Sequence, residues 1–312
     1  MHAIGIDVGG TKIAAGLVDE EGKVLKEIRR PTPATDGEAV AKTICDMALE
    51  LANGEDVAGI GIGAAGFCNA DRDTVVYAPN LDWRNEPLAE MITACTSLPV
   101  VVENDANAAA WGEYRFGAAR GSRNATVVTL GTGIGGGVII DGQLIRGSQG
   151  FAAEIGHMQI KAGGRRCGCG NRGCWERYGS GTALVQEARE MAQVAPDIAY
   201  RILELADGKI ENITGPLVAQ AARGGDANAL DIIETVARWI GLGLADLAAI
   251  LDPEVFVLAG GMARDGEMLR APVQAAFEQN VTARKFRKLP PIKLAELGVP
   301  AGLIGAADLA RQ

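Results

Sequence analysis

Apolar residues run almost unbroken from Ala3 to Val8, the pattern of a buried strand, and stop at the glycine pair Gly9 and Gly10. A second apolar run from Ile13 to Val18 follows, and Glu20-Glu21-Gly22 then turns the chain into a third strand. The same order recurs in "ATVVTLGTGIGGGVIIDGQLIRG", residues 125–147, with Asp141-Gly142 as the turn. Two copies of one strand, glycine loop, strand, turn, strand unit, roughly 120 residues apart, predict two related halves. Between them, Val40, Ile44, Met47, Ala48 and Leu51 recur at helical spacing, whereas "VAGIGIGAAG" and "PVVVEND" read as buried strands. Beyond residue 180 the pattern is mainly helical, and "ALDIIETVARWIGLGLADLAAIL" ends at Asp252-Pro253. "EVFVLAGGM" is then a strand running into Gly260 and Gly261, and "AGLIGAADLARQ" a closing helix. No linker rich in proline or serine interrupts this alternation, which predicts two joined α/β lobes.

The second glycine loop matches G-x-G-x-x-G at Gly131, Gly133 and Gly136, but it does not open a helix. A β-branched run with a hairpin turn follows it, so no helix N-terminus is offered to a pyrophosphate and the dinucleotide reading fails. Neither loop carries the G-x-x-x-x-G-K-[ST] pattern. What remains is a pair of hairpin loops whose backbone N–H groups can hold phosphate oxygens.

Composition narrows the class. Apolar residues make up 48 % and charged residues 22 %, as in soluble globular proteins, and the net charge of −9 argues against a nucleic-acid surface. The one basic run, "RKFRK" at 284–288, reads as a solvated helix end. No apolar stretch reaches the roughly 18 residues that span a bilayer, and the first residues lack the pattern of a secretory leader. A cytoplasmic location is therefore expected. In a reducing compartment clustered cysteines favour metal over disulfides, and the scattered Cys45, Cys68 and Cys95 read as small buried hydrophobes.

Three of the six cysteines do cluster. Cys167, Cys169 and Cys174 have a C-x-C-x4-C spacing with glycines between, so the backbone can curl and converge three sulfurs on a structural Zn²⁺. His157 is the expected fourth ligand, since the other histidine, His2, opens a strand. An imidazole that gives one nitrogen to zinc keeps its other N–H in a fixed direction. Glu154, on the same face if this stretch is helical, and Glu176 would join it as hydrogen-bonding groups on one rigid loop.

These motifs, "DVGGTK" at 7–12, "ENDANAAAWGE" at 103–113, "LGTGIGGG" at 130–137, "EIGH" at 154–157, "CGCGNRGCWE" at 167–176 and "LAGG" at 258–261, resemble the ROK family of sugar kinases and sugar-responsive repressors, and within it the bacterial glucokinases. The resemblance covers essentially the whole chain. It implies a two-lobed actin-like (ribonuclease H-like) ATPase fold of the α/β class, with duplicated mixed β-sheet lobes and a cleft between them. Residues 1–118 with 300–312 would form the small lobe and 119–299 the large one. Asp105 aligns with the catalytic aspartate, the general base for the sugar 6-hydroxyl, and Asn104, Asn80 and Gly66 resemble further sugar contacts beside Glu154, His157 and Glu176. Gly9, Gly10, Thr11, Gly131, Thr132 and Gly133 would hold the phosphates of ATP, Asp7 would reach Mg²⁺, Lys12 would add positive charge, and Gly260 and Gly261 would lie against adenosine.

The expected activity is ATP-dependent 6-phosphorylation of glucose, with "GGTK" resembling the ATP-using rather than the polyphosphate-using pattern. An N-acetylmannosamine or N-acetylglucosamine kinase is the alternative within the class, and a non-catalytic sugar-sensing regulator the alternative outside it. Because the first phosphate motif starts at Asp7, a preceding helix-turn-helix segment is not expected, which favours an enzyme. Glucose and ATP are the expected partners, with no nucleic acid or membrane, and the resemblance implies a homo-oligomer, dimer or tetramer.

Overall fold

The computed structural model describes every residue of the chain except Pro79. Strands β1 (His2–Val8), β2 (Lys12–Val18) and β3 (Val24–Pro31) form the first predicted unit. Helix α1 (Gly37–Ala52), strands β4 (Val57–Ala64), β5 (Phe67–Cys68), β6 (Val75–Ala78) and β7 (Trp83–Glu86), helix α2 (Leu88–Thr96), strand β8 (Val100–Asn104) and helix α3 (Asp105–Phe116) follow. The second copy of that strand pattern is β9 (Ala125–Leu130), β10 (Ile134–Ile140) and β11 (Gln143–Leu144). Helices α4 (Glu176–Gly179), α5 (Gly181–Val194), α6 (Tyr200–Leu205), α7 (Gly215–Arg223) and α8 (Ala227–Leu251) come next. Strand β12 (Val255–Ala259), helix α9 (Glu267–Asn280), strand β13 (Ile292–Leu294) and helix α10 (Ala301–Leu309) complete the chain.

The duplication read from the pattern is present in the topology. One sheet has the order β3-β2-β1-β4-β8 and the other β11-β10-β9-β12-β13, and each begins with the predicted hairpins. In the first sheet β2 runs antiparallel to β1 and β3, while β4 is parallel to β1 and to β8. Asp7 pairs with Gly63, and Gly63 with Glu103, so the C-terminal ends of three parallel strands finish in one row. Crevices outside such carboxyl ends are where open α/β sheets bind ligands.

By compactness the chain divides into Met1–Val127 with Gly136–Ala153 and Ala295–Gln312, and Val128–Gly135 with Glu154–Leu294. The core of the first unit is built from Ile4, Ile6, Val8, Ile44, Met47, Ile60 and Ile62, all fully buried. Each such side chain contributes about 1.5–3 kcal/mol on leaving water. Helix α1 starts where Asp36 accepts the amide of Ala39 and turns Val40, Ile44, Met47 and Leu51 inward. Helix α10 lies unusually close to the sheet: a Cβ on Gly61 would stand 1.8 Å from the carbonyl oxygen of Ala306. In the second unit Val128, Leu130, Trp175, Phe256 and Phe277 lie under α8, which is capped by Asp226 and stopped at Asp252 in the left-handed region.

Two expectations change. The reading of Cys45 and Cys95 as small buried hydrophobes is corrected: α1 and α2 bring them to a Cα–Cα distance of 6.3 Å and they form a disulfide, with Cys95 exposed. Cys68 is buried and free, as expected. The "RKFRK" run follows α9 as a series of turns rather than ending a helix. Among the described residues no helix is long and apolar enough to cross a membrane.

Candidate active site

In the first unit the site grows from the end of β8. Asn104 is the N-cap of α3, its Oδ1 accepting the amides of Ala106 and Asn107 at 3.0 Å each, which places Asp105 as the first helical residue. The Asn104 side-chain amide donates to the carbonyl of Gly66 at 3.1 Å, so two expected sugar contacts are tied together. A Cβ on Gly66 would meet Tyr77 O at 2.5 Å, and the backbone here admits only glycine. Asn80 is exposed and lies against Gly10: a Cβ on Gly10 would come within 3.2 Å of the Asn80 Cβ. Gly302, at the start of α10, has the Asp7 carboxyl and the Asp105 carbonyl as its near neighbours. Burial pushes the Asp7 carboxyl up, with Lys12 opposing, and such a carboxylate suits a divalent cation of the hard, oxygen-preferring kind.

Directly before Asn104 stands a residue with no expected role. Glu103 is 1 % exposed. Its Oε1 accepts the Asn104 amide at 3.0 Å and Asn107 Nδ2 at 3.1 Å, while its Oε2 accepts Arg146 Nε at 2.6 Å and faces Arg72 Nε at 3.3 Å. The sequence carried one signal for it, a glutamate closing an otherwise apolar strand, but nothing that named its partner.

In the second unit the cysteine loop forms as expected. A ring nitrogen of His157 and the sulfurs of Cys167, Cys169 and Cys174 all lie within 4.8 Å of one another. Cys169 Sγ and Cys174 Sγ are 3.6 Å apart, as are Cys167 Sγ and His157 Nδ1. A tetrahedral zinc with sulfur at about 2.3 Å and nitrogen at about 2.0–2.1 Å needs edges of about 3.8 and 3.6 Å, so the donors fit in kind and spacing. Burial pushes the thiols of Cys167 and Cys174 up, so a metal must displace protons there. With Nδ1 turned to the sulfurs, Nε2 is the ring nitrogen left for a ligand. Residues Ile155–His157 form a 3₁₀ turn capped by Glu154, whose carbonyl accepts the His157 amide at 3.1 Å. Glu154 therefore stands just outside this turn and not on a helix face, close enough for His157 to act on its carboxyl. Glu154 keeps solvent exposure as a residue, yet the protein around its carboxyl pushes its pKa up, with His157 opposing and Glu176 adding.

Glu176 joins this cluster to the second glycine loop. Its Oε1 accepts the Cys167 thiol at 2.9 Å, and a Cβ on Gly133 would stand 2.6 Å from its Oε2. The neighbouring Trp175, which sequence reasoning passed over, is fully buried and donates its indole N–H to Trp239 O at 2.8 Å. A core tryptophan between Cys174 and Glu176 fixes both.

The loops differ from expectation in one respect. The Gly9 amide donates to Lys12 O and the Gly131 amide to Gly133 O, each at 3.1 Å, so both close their own hairpins rather than pointing at a ligand. Gly10, Thr11, Lys12, Thr132 and Gly133 remain as phosphate-facing candidates. Gly131 and Thr132 border a pocket of about 760 Å³ walled by Leu184, Val185, Pro216, Ala219 and Met262, with Arg223, Arg264 and Asp265 at its margin. Thr182 Oγ1 donates to Thr132 O at 2.6 Å and ties the loop to α5. Gly261 lines this pocket, whereas Gly260, at φ 89°, is pressed against the Leu130 backbone, where a Cβ would meet Leu130 O at 2.5 Å.

A family model for the ROK family matches residues 3–312. Glucokinase of Streptomyces coelicolor is 48 % identical over 309 residues, 99 % of this chain and 97 % of that protein. A ROK family glucokinase from Streptomyces griseus, solved with glucose and AMPPNP, superposes with a TM-score of 0.90 at 48 % identity and covers 100 % of both chains. The ROK hexokinase of Thermus thermophilus superposes with a TM-score of 0.83 at 34 % identity, covering 98 % of this chain and 97 % of that one. The fold is the two-lobed actin-like α/β fold. From the order of its motifs, its duplicated sheets and these likenesses, the chain belongs to the ROK family.

Proposed function

We propose that the protein transfers the γ-phosphoryl group of ATP to the 6-hydroxyl of glucose, giving glucose 6-phosphate and ADP, with Asp105 as the general base. The observation that carries this reading is the capped junction at the end of β8, where Asn104 holds Gly66 and presents Asp105 as the first residue of α3. The likeness to glucokinases, one of them solved with glucose and an ATP analogue, supports the substrate pair.

Asp105 removes the O6 proton as that oxygen attacks phosphorus, a contribution of about 10² to 10⁴ in rate. Asn104, Asn80 and the Gly66 backbone bind sugar hydroxyls from the first unit. Glu154, Glu176 and the His157 Nε2–H do so from the second. Phosphoryl transfer needs alignment and charge neutralisation more than covalent help. The amides of Gly10, Thr11, Thr132 and Gly133, the threonine hydroxyls and Lys12 supply it, and adenosine occupies the pocket beside Gly261. Asp7 would hold Mg²⁺, whose charge neutralises the transferring phosphates. His157, Cys167, Cys169 and Cys174 would hold Zn²⁺, which stiffens the sugar loop. The ATP supply that such a reaction needs supports a cytoplasmic location, and sedimentation tests the expected dimer or tetramer.

A panel of hexoses in a coupled ADP-release assay tests the proposal. Glucose should give the highest kcat/KM, and Asp105→Ala should abolish turnover while glucose still binds in calorimetry. An N-acetylated hexose that outpaces glucose tenfold or more, or surviving turnover in Asp105→Ala, would overturn it.

A further inference from the structure

The carboxylate of Glu103 is a buried charge two residues before the proposed base, and the mechanism above leaves it without a task. A buried ion pair is a weak source of stability, because well-packed apolar residues of similar volume often do as well or better. The strand that carries it, Val100–Asn104, reads as apolar up to Val102, so a hydrophobe would suit the pattern. What an apolar residue could not do is bind four groups in fixed directions. One oxygen of Glu103 holds the backbone of Asn104 and the side chain of Asn107, on either side of Asp105. The other holds Arg146.

Arg146 is held as firmly. Its side chain is 11 % exposed, and its three nitrogens donate to Glu103 Oε2, to Ala70 O at 2.6 Å and to Asn69 O at 2.7 Å. A planar guanidinium engaged on all three nitrogens has one orientation. The turn between β5 and β6 that it grips also takes the Val102 amide, on the Arg72 carbonyl at 2.8 Å. Glu103 and Arg146 therefore brace the β8–α3 junction against a neighbouring turn, and Asp105 sits at that junction.

We propose that the Glu103–Arg146 pair is a positioning device for the transfer step, setting where Asn104 and Asp105 stand relative to the sugar O6. The proposal rests on the reading of Asp105 as the base. A base must lie within about 2.6–3.2 Å of the proton it takes, and a displacement of about 1 Å can cost about 10²-fold.

The test compares wild type with Glu103→Gln, Arg146→Lys, Arg146→Met, the double variant Glu103→Gln/Arg146→Met, and Asp105→Asn, each assayed below its own unfolding midpoint. Glu103→Gln should lower kcat about 10- to 100-fold, with KM for ATP and the glucose dissociation constant within about threefold of wild type. Arg146→Met should show a similar loss, Arg146→Lys should recover part of it, and the double variant should be no worse than the poorer single one, as for groups acting as one unit. A merely structural pair would instead lower the unfolding midpoint and leave kcat per folded site unchanged. Wild-type kcat in folded Glu103→Gln and Arg146→Met, or losses that multiply in the double variant, would overturn the proposal. If Glu103→Gln does not fold, the ratio of kcat in Arg146→Lys to that in Arg146→Met decides alone, and a ratio of one overturns it. Asp105→Asn separates the two readings. Full turnover there removes the base and this proposal with it, whereas a dead Asp105→Asn beside a fully active Glu103→Gln removes the positioning role only.

Discussion

Removing the zinc proposed for the cysteine loop should weaken the use of glucose without unfolding the protein, and the structure sets the size of the effect. The loop does not depend on zinc for its path. Trp175 anchors it in the core, the Trp175 amide donates to Met158 O at 2.8 Å, and the Ile160 amide donates to Gly173 O at 2.9 Å. What the proposed zinc would add is the orientation of the His157 ring and of the thiol that Glu176 accepts. Loss of one neutral hydrogen bond from the imidazole costs about 1 kcal/mol, and loosening of one charge-assisted contact from Glu176 about 2 kcal/mol. Their sum of about 3 kcal/mol corresponds to about 10²-fold in kcat/KM for glucose. The assay is steady-state kinetics on protein stripped by a chelator, with zinc content, circular dichroism and activity read on the same sample. KM for ATP should stay put, and added zinc should restore the rate. Because the thiols of Cys167 and Cys174 are pushed up by burial and must release protons, zinc should bind more tightly as pH rises and leave as it falls. Folded, zinc-free protein with the native kcat/KM for glucose would refute this account of the loop.

Three further outcomes follow from the geometry. Asp7 has its pKa raised by burial, so its ionised form is disfavoured in the folded protein; the penalty is absent below the unfolded value of about 3.9 and complete once pH has risen past the folded one. In unliganded protein Asp7→Asn should therefore gain stability over wild type as pH rises from acid to neutral, and a midpoint difference that stays constant in thermal melts would contradict the shift. Gly61→Ala places a Cβ 1.8 Å from Ala306 O, backbone that cannot swing aside, so unfolding should become easier by about 3 kcal/mol or more in denaturant titrations; a wild-type midpoint would mean that α10 is looser than the structure has it. The Cys45–Cys95 bridge closes a sequence separation of 50 residues, for which chain entropy gives about 4 kcal/mol. Reductant should lower the unfolding midpoint of wild type but not of Cys45→Ala/Cys95→Ala, and equal sensitivity of the two would discount the bridge.

Local pattern sufficed for much of the fold. The period of Val40, Ile44, Met47 and Leu51 located α1, Asp252-Pro253 located the end of α8, and the repeated hairpins announced the two sheets. The small sheet β5-β6-β7 was not legible, because β5 has two residues and "WRNE" in β7 has no alternation to read. Site residues were legible where chemistry clusters along the chain, as in the cysteine loop. They were not where the partners are distant: Glu103 meets Arg146 across 43 residues, and Cys45 meets Cys95 only because α1 and α2 pack together. The amides of Gly9 and Gly131 show a third limit, since composition marks a glycine loop but not which of its N–H groups the loop keeps for itself.

That last detail bears on how the protein meets its nucleotide. Loops latched by their own amides hold their contour in the empty protein, so an incoming triphosphate finds a mould already set and little backbone freedom is surrendered on docking. Nucleotide capture should accordingly be quick and nearly indifferent to whether sugar has arrived, leaving discrimination to the meeting of hydroxyls and carboxylates.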